Sequence, residues 1–174
     1  MEMLSYFSIE MTTAQFYGLF FLLGTFAVAA LSDLKKLAAQ REFFEVWLVF
    51  IIMMFCYDVY TKSDTNILVL KWILIVAFAA LSSRETGVIF SLEIADVAAI
   101  SATAALLNPF YIVVYYIVIW ITNKLLTPVL SGVLSGLKKK EYPFMPVVFI
   151  STVIVILIGI SGIFERIVSY LPFL

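Results

Sequence analysis

Long apolar runs, each carrying at most two charged residues, dominate this chain and set the solvent it can fold in. A bilayer-spanning α-helix needs about 20 mostly apolar residues. Runs of that kind lie at about 14–32, 43–60, 67–82, 110–127 and 147–164, and a weaker one, rich in Ala and Ser, at about 92–107. They do not alternate residue by residue, as the strands of a membrane β-barrel would. Of the 174 residues, 64% are hydrophobic and 13% are charged. A soluble domain carries roughly 25% charged residues, and one of this length could not bury so much apolar surface. The expected fold is therefore all-α: a polytopic membrane protein with about six transmembrane helices, forming a single membrane-embedded domain over 1–174. Neither an internal repeat nor a soluble appendage is visible.

The residue inventory narrows the chemistry. The chain has no His and one Cys. That removes Ser–His and Cys–His catalysis, His-ligated metals, Cys clusters and any intrachain disulfide. No cofactor and no metal are expected. Cys56 lies in the apolar run IIMMFCYDVY and reads as a small buried hydrophobe. Net charge is −1, so no basic field points to nucleic acid. The first fifteen residues, MEMLSYFSIEMTTAQ, lack Lys and Arg, unlike the positive start of a cleaved secretory signal. Acidic groups, Lys, Arg, hydroxyls and backbone remain for function.

Orientation follows from the basic residues in short loops. The loops after the first, third and fifth spans hold Lys35, Lys36, Arg41, Arg84, Lys138, Lys139 and Lys140. The opposite side holds only Lys62 and Arg166, while Lys71 and Lys124 lie near helix ends and are expected to snorkel. The basic side is expected to face the cytoplasm of a plasma membrane, with both termini outside. The Lys138–Lys140 run reads as a topology anchor on anionic lipid.

A carboxylate at membrane depth is costly, so its position carries information. Glu2, Glu10, Asp64, Glu85, Glu141 and Glu165 fall in loops or tails, where a solvated role is the default. Glu42, Glu45 and Asp58 sit at the ends of the second span and read as interfacial anchors. Asp33 closes the first span, and Asp96 opens the fourth with Glu93 just before it. The topology puts Asp33 and Asp96 at the same depth, near the same membrane face. Each Asp could simply mark a helix boundary, where an N-terminal Asp is favourable in any case. Two neighbouring carboxylates also have a chemical use. They cannot both ionise cheaply, so one keeps its proton. The ionised member can take a proton from water while the protonated one polarises a peptide carbonyl. Such proteolysis needs no His, Cys or metal.

Three segments now carry a resemblance. Ala30-Leu31-Ser32-Asp33-Leu34-Lys35-Lys36 has an Asp at the end of the first helix and a basic residue two positions on. Ala95-Asp96-Val97-Ala98-Ala99-Ile100 leads into Leu106-Leu107-Asn108-Pro109-Phe110. Tyr142-Pro143-Phe144-Met145-Pro146 precedes the last apolar run. In that order and rough spacing the chain resembles the type IV prepilin peptidases, specifically the archaeal prepilin and preflagellin (prearchaellin) peptidases, which are aspartic membrane proteases of the Gly-x-Gly-Asp type. The likeness covers about residues 14–165. It differs from the family pattern in carrying Glu93 for the first Gly, Ala98 for a frequent Lys, and no Pro after the basic residues that follow Asp33. The bacterial members' Cys-rich cytoplasmic domain has no counterpart.

The resemblance implies that Asp33 and Asp96 form the catalytic dyad. It implies that the partners are membrane-inserted precursors with a class III, prepilin-like signal peptide, cut between a short basic leader and a hydrophobic helix at the cytoplasmic face. Small residues around Asp96 (Ala95, Ala98, Ala99, Ser101, Ala102 and Ala105) would let helices approach closely. Pro143 and Pro146 would break the helix where the chain re-enters the membrane and expose backbone to an extended substrate. Three readings stand at this point: an aspartic endopeptidase, a non-enzymatic protein such as an inactive homologue or small ion-coupled transporter using the same Asp residues, and an assembly scaffold.

Overall fold

The structure, a computed structural model, describes residues 11–36, 41–61, 64–133 and 143–163. Within them the chain is all-helical. The six helices are α1 (Thr13–Lys36), α2 (Arg41–Thr61), α3 (Thr65–Ser82), α4 (Ile94–Ala104), α5 (Pro109–Val133) and α6 (Met145–Ser161). Segments at Thr13–Leu34, Phe43–Thr61, Thr65–Ser82 and Pro109–Val129 are each long and apolar enough to cross a membrane. Phe20, Val49, Met53, Ile73, Ile117 and Leu157 are all exposed, which in water would be an unsupportable apolar surface and in lipid is the expected one. The protein is a multi-pass membrane protein.

Most boundaries fall within three residues of the apolar runs, because the runs end where loop polarity begins. Two differ more. α5 continues through Pro128 to Val133, beyond the 110–127 run and into the stretch read as a linker. The ring removes one backbone donor, and Thr127 Oγ1 donates to the Asn123 carbonyl one turn back at 2.6 Å. α4 is shorter than its 92–107 run. It unwinds at Ala105, where the Leu106 and Leu107 amides bond three residues back, to Thr103 and Ala104. Asn108 then starts α5, its Oδ1 accepting the Tyr111 amide at 2.9 Å, with Pro109 as the first helical residue, where its missing N–H costs nothing.

α4 is the central element and packs against all five other helices. Its composition explains that position. Ala98, Ala99, Ser101, Ala102, Ala104 and Ala105 are buried, and small side chains allow close backbone approach. Its 11 residues rise only about 16 Å, roughly half of a 30 Å hydrocarbon core. Around it, α1 packs on α6, α2 on α4, and α5 on α3 and α6. Trp47, fully buried on α2, donates Nε1–H to Thr25 Oγ1 of α1 at 3.1 Å. Phe78 of α3 stacks on Tyr116 of α5 with centroids 4.2 Å apart.

Three sequence expectations are corrected. Cys56 is exposed rather than buried, because it lies on the outward face of α2. Asp58 and Lys71, read as an interfacial anchor and a snorkelling side chain, are both fully buried and paired with each other at 2.5 Å. Their faces of α2 and α3 turn toward α4 instead of the interface. Asp64 is exposed in the loop, as expected, and its carboxylate also caps α3 by accepting the Asn66 and Ile67 amides. Lys62, Lys138, Lys139, Lys140, Arg166, Tyr142, Glu2, Glu10, Glu141 and Glu165 lie outside the described residues.

Candidate functional site

The three segments singled out in the sequence meet at one end of the bundle. The C-terminal turn of α1 brings Asp33, the first turn of α4 brings Asp96, and the start of α6 brings the Pro143–Pro146 stretch. Asp33 is buried. Its Oδ2 accepts the Met145 backbone amide at 3.1 Å, and the Phe144 amide also acts on it. Those amides belong to the open first turn of α6, whose donors have no partner within the helix. Phe144, in the cap position, supplies no side-chain acceptor of its own. A carboxylate brought from another helix fills the gap, and the partial positive charge of a helix N-terminus favours it there.

Asp96 is half-buried beside this pair. Both Asp33 and Glu93 lie close enough to act on it electrostatically. Glu93 precedes α4 in extended backbone (φ −72°, ψ 157°), makes no capping bond and is exposed. Two aspartates of separate helices therefore share one locus, with a third carboxylate at its rim. Carboxyl groups brought together in this way repel one another when ionised.

The surroundings are shaped by the same motifs. Pro143, Phe144, Met145 and Pro146 are all buried. Pro146 is accommodated in the first turn of α6, where proline suits a helix, so only Pro143 lies outside it. Phe90 lies against Phe144, centroids 6.1 Å apart. The chain reaches α4 by way of Leu92, which forms an isolated parallel bridge to Ser83 at the end of α3. The Leu92 amide donates to the Ser82 carbonyl at 3.1 Å. This ties the approach to Glu93 and Asp96 to the end of α3.

Sequence reasoning identified Asp33, Asp96 and the Pro143–Pro146 stretch, which the fold brings together. It did not find a second buried polar cluster, in which Thr152 Oγ1 of α6 lies 3.2 Å from Thr103 Oγ1 of α4 and 3.1 Å from Tyr115 Oη of α5. Nor did it find the Asp58–Lys71 pair. Lys71 Nζ also donates to the Ala105 carbonyl at 2.6 Å, and Trp72 Nε1 donates to Asp58 Oδ2 at 3.2 Å. A groove of about 780 Å³ between α1 and α2 is lined by Tyr17, Phe21, Val49 and Met53 among others and includes neither aspartate. It is open and apolar, and lipid chains suit it. Among the described residues no three acidic or Cys side chains are grouped as metal ligands. Comparison with protein-family models, with curated proteins and with solved structures returns no match.

Proposed function

We propose that this protein is a membrane aspartic endopeptidase that removes the short basic leader of pilin-like or archaellin precursors. The observation that carries this reading is the meeting of Asp33 and Asp96, from helices more than 50 residues apart in sequence, at one end of the bundle beside the opening turn of α6. A carboxyl pair sharing a proton has the chemistry that peptide hydrolysis requires. One member, ionised, accepts a proton from the attacking water, and the other, protonated, polarises the scissile carbonyl. The pair titrates as a unit, so neither residue is assigned one role. A precursor helix must unwind at its leader junction to present that carbonyl, and a half-buried Asp96 leaves the site open to it. With the basic loops on the cytoplasmic side, both termini lie outside and the carboxylates face the leader's compartment.

The bond from Met145 to Asp33 favours a second reading, in which Asp33 is a structural cap in a non-catalytic membrane protein. Cleavage separates the two. Membranes containing the parent protein and a co-expressed precursor should yield the shortened product. Asp33→Asn and Asp96→Asn should each leave the precursor intact while accumulating to parent levels. Full cleavage by either variant rejects the endopeptidase reading and leaves the cap.

A further inference from the structure

α4 carries Asp96 at one end and terminates inside the protein at the other. With 11 residues it rises about 16 Å, about half the depth of a bilayer core. The Leu106 and Leu107 amides take the Thr103 and Ala104 carbonyls in a closing turn, and the next carbonyl, that of Ala105, lies in the protein interior. A helix end in that position needs donors from elsewhere. Ala105, the C-terminal cap of α4, and the two residues after it are buried. Lys71 reaches that end from α3, its ammonium 2.6 Å from the Ala105 carbonyl. The negative end of a helix dipole attracts a cation, and Asp58 of α2 balances that cation at 2.5 Å. Both side chains are fully buried. One ammonium thus joins three helices at the inner end of α4.

Burying two charges in a membrane protein is costly, and replacing a buried pair with apolar groups is often neutral or stabilising for the fold. Stability alone gives this pair no reason to exist. Position does. α4 is lined by alanines, and such smooth surfaces fix axial register weakly compared with interlocking large side chains. A directional, charge-assisted bond at the helix end, acting with the Thr103–Thr152 hydroxyl contact farther along α4, limits how far α4 extends along its axis, and hence where its first turn sits relative to α1 and α6.

We infer that Lys71, held by Asp58, is a positioning residue: it anchors the inner end of α4 and so sets the placement of Asp96 against Asp33. The kinetic consequence rests on the proposed endopeptidase function, whereas the geometric one does not. A displacement of about 1 Å at a reacting group can cost on the order of 100-fold in rate.

Two measurements on the full chain in lipid test this. The first is a distance distribution between spin labels at Ile94 and Ile160, both exposed and at the start of α4 and near the end of α6. The native thiol is removed by Cys56→Ser. Asp58→Asn keeps an acceptor for Lys71 and the Lys71–Ala105 bond; it should lower stability by leaving the ammonium without a counter-charge, but the folded protein should reproduce the parent distribution. The double variant Lys71→Met/Asp58→Asn leaves no buried charge at the pair, so it should still fold, but should shift or broaden the distribution. The second is precursor cleavage, where the double variant should lose about 10- to 100-fold in kcat with KM within about twofold. A double variant whose distance distribution superimposes on the parent's overturns the inference, whatever its activity. If even the parent cleaves nothing, the distances still decide the positioning role, and only the endopeptidase reading fails.

Discussion

Replacing Asp33 by Asn and by Ala separates its structural work from its chemistry. The carboxylate is buried and accepts the Met145 amide at 3.1 Å. In Asp33→Ala that amide, in the first turn of α6, loses its acceptor in a buried setting. An unsatisfied buried donor costs about 1–3 kcal/mol, and loss of a cap about 1 kcal/mol on its own scale. About 2 kcal/mol is therefore expected. Asp33→Asn keeps an oxygen able to accept the same bond. It loses only the charge–dipole part, about 0.3–1 kcal/mol. Removing one carboxylate beside Asp96 and Glu93 acts in the opposite direction by relieving like-charge repulsion. The net change for Asn should stay below about 1 kcal/mol. Unfolding in mixed micelles with a rising fraction of SDS, followed by loss of helical circular dichroism, reads both variants. Parallel precursor cleavage should be lost in both. Equal destabilisation by Asn and Ala would refute the capping account. A stable Asn variant with undiminished cleavage would refute the chemical role.

Further outcomes follow from the same contacts. Lys71→Met leaves Asp58 buried without its cation and should destabilise by about 3–5 kcal/mol, whereas Lys71→Met/Asp58→Leu should lose markedly less in the same unfolding assay. Thr152→Val removes the shared partner of Thr103 and Tyr115 and should cost about 1–3 kcal/mol; an unchanged unfolding midpoint would show that the cluster is inert. Glu93→Gln, at an exposed residue that caps nothing, should shift stability by less than about 0.5 kcal/mol, so any change in cleavage rate it produces reports on charge at the site.

The helices were legible because the bilayer imposes a one-dimensional rule, length and apolarity, that a sequence states directly. The meeting of Asp33 and Asp96 was legible for a related reason. Counting spans puts the end of α1 and the start of α4 on one face, without knowing which sides of the helices touch. The bond from Met145 to Asp33 was not legible, since it depends on how α1 and α6 are rotated about their axes. The same holds for Thr103, Thr152 and Tyr115, whose hydroxyls are unremarkable in their own segments. Lys71 and Asp58 offered a signal that hydropathy passed over. They are opposite charges on consecutive helices, one three residues before the end of α2 and the other six residues past the start of α3, so the short turn between those helices brings them to similar depth. Interfacial anchoring was the wrong choice because six residues of α3 carry Lys71 too far inward for an easy return to the surface. The extension of α5 past Pro128 was hidden by a rule that holds for soluble helices and is weaker in membranes.

The central claim is that Asp33 and Asp96 act together as the hydrolytic pair. The most direct measurement is mass-spectrometric analysis of a leader-bearing precursor incubated in membranes with the parent protein, with Asp33→Asn and with Asp96→Asn. A single new N-terminus at the leader–helix junction, formed by the parent and by neither variant, is the predicted result. The same new N-terminus formed at parent rate by either variant would contradict it.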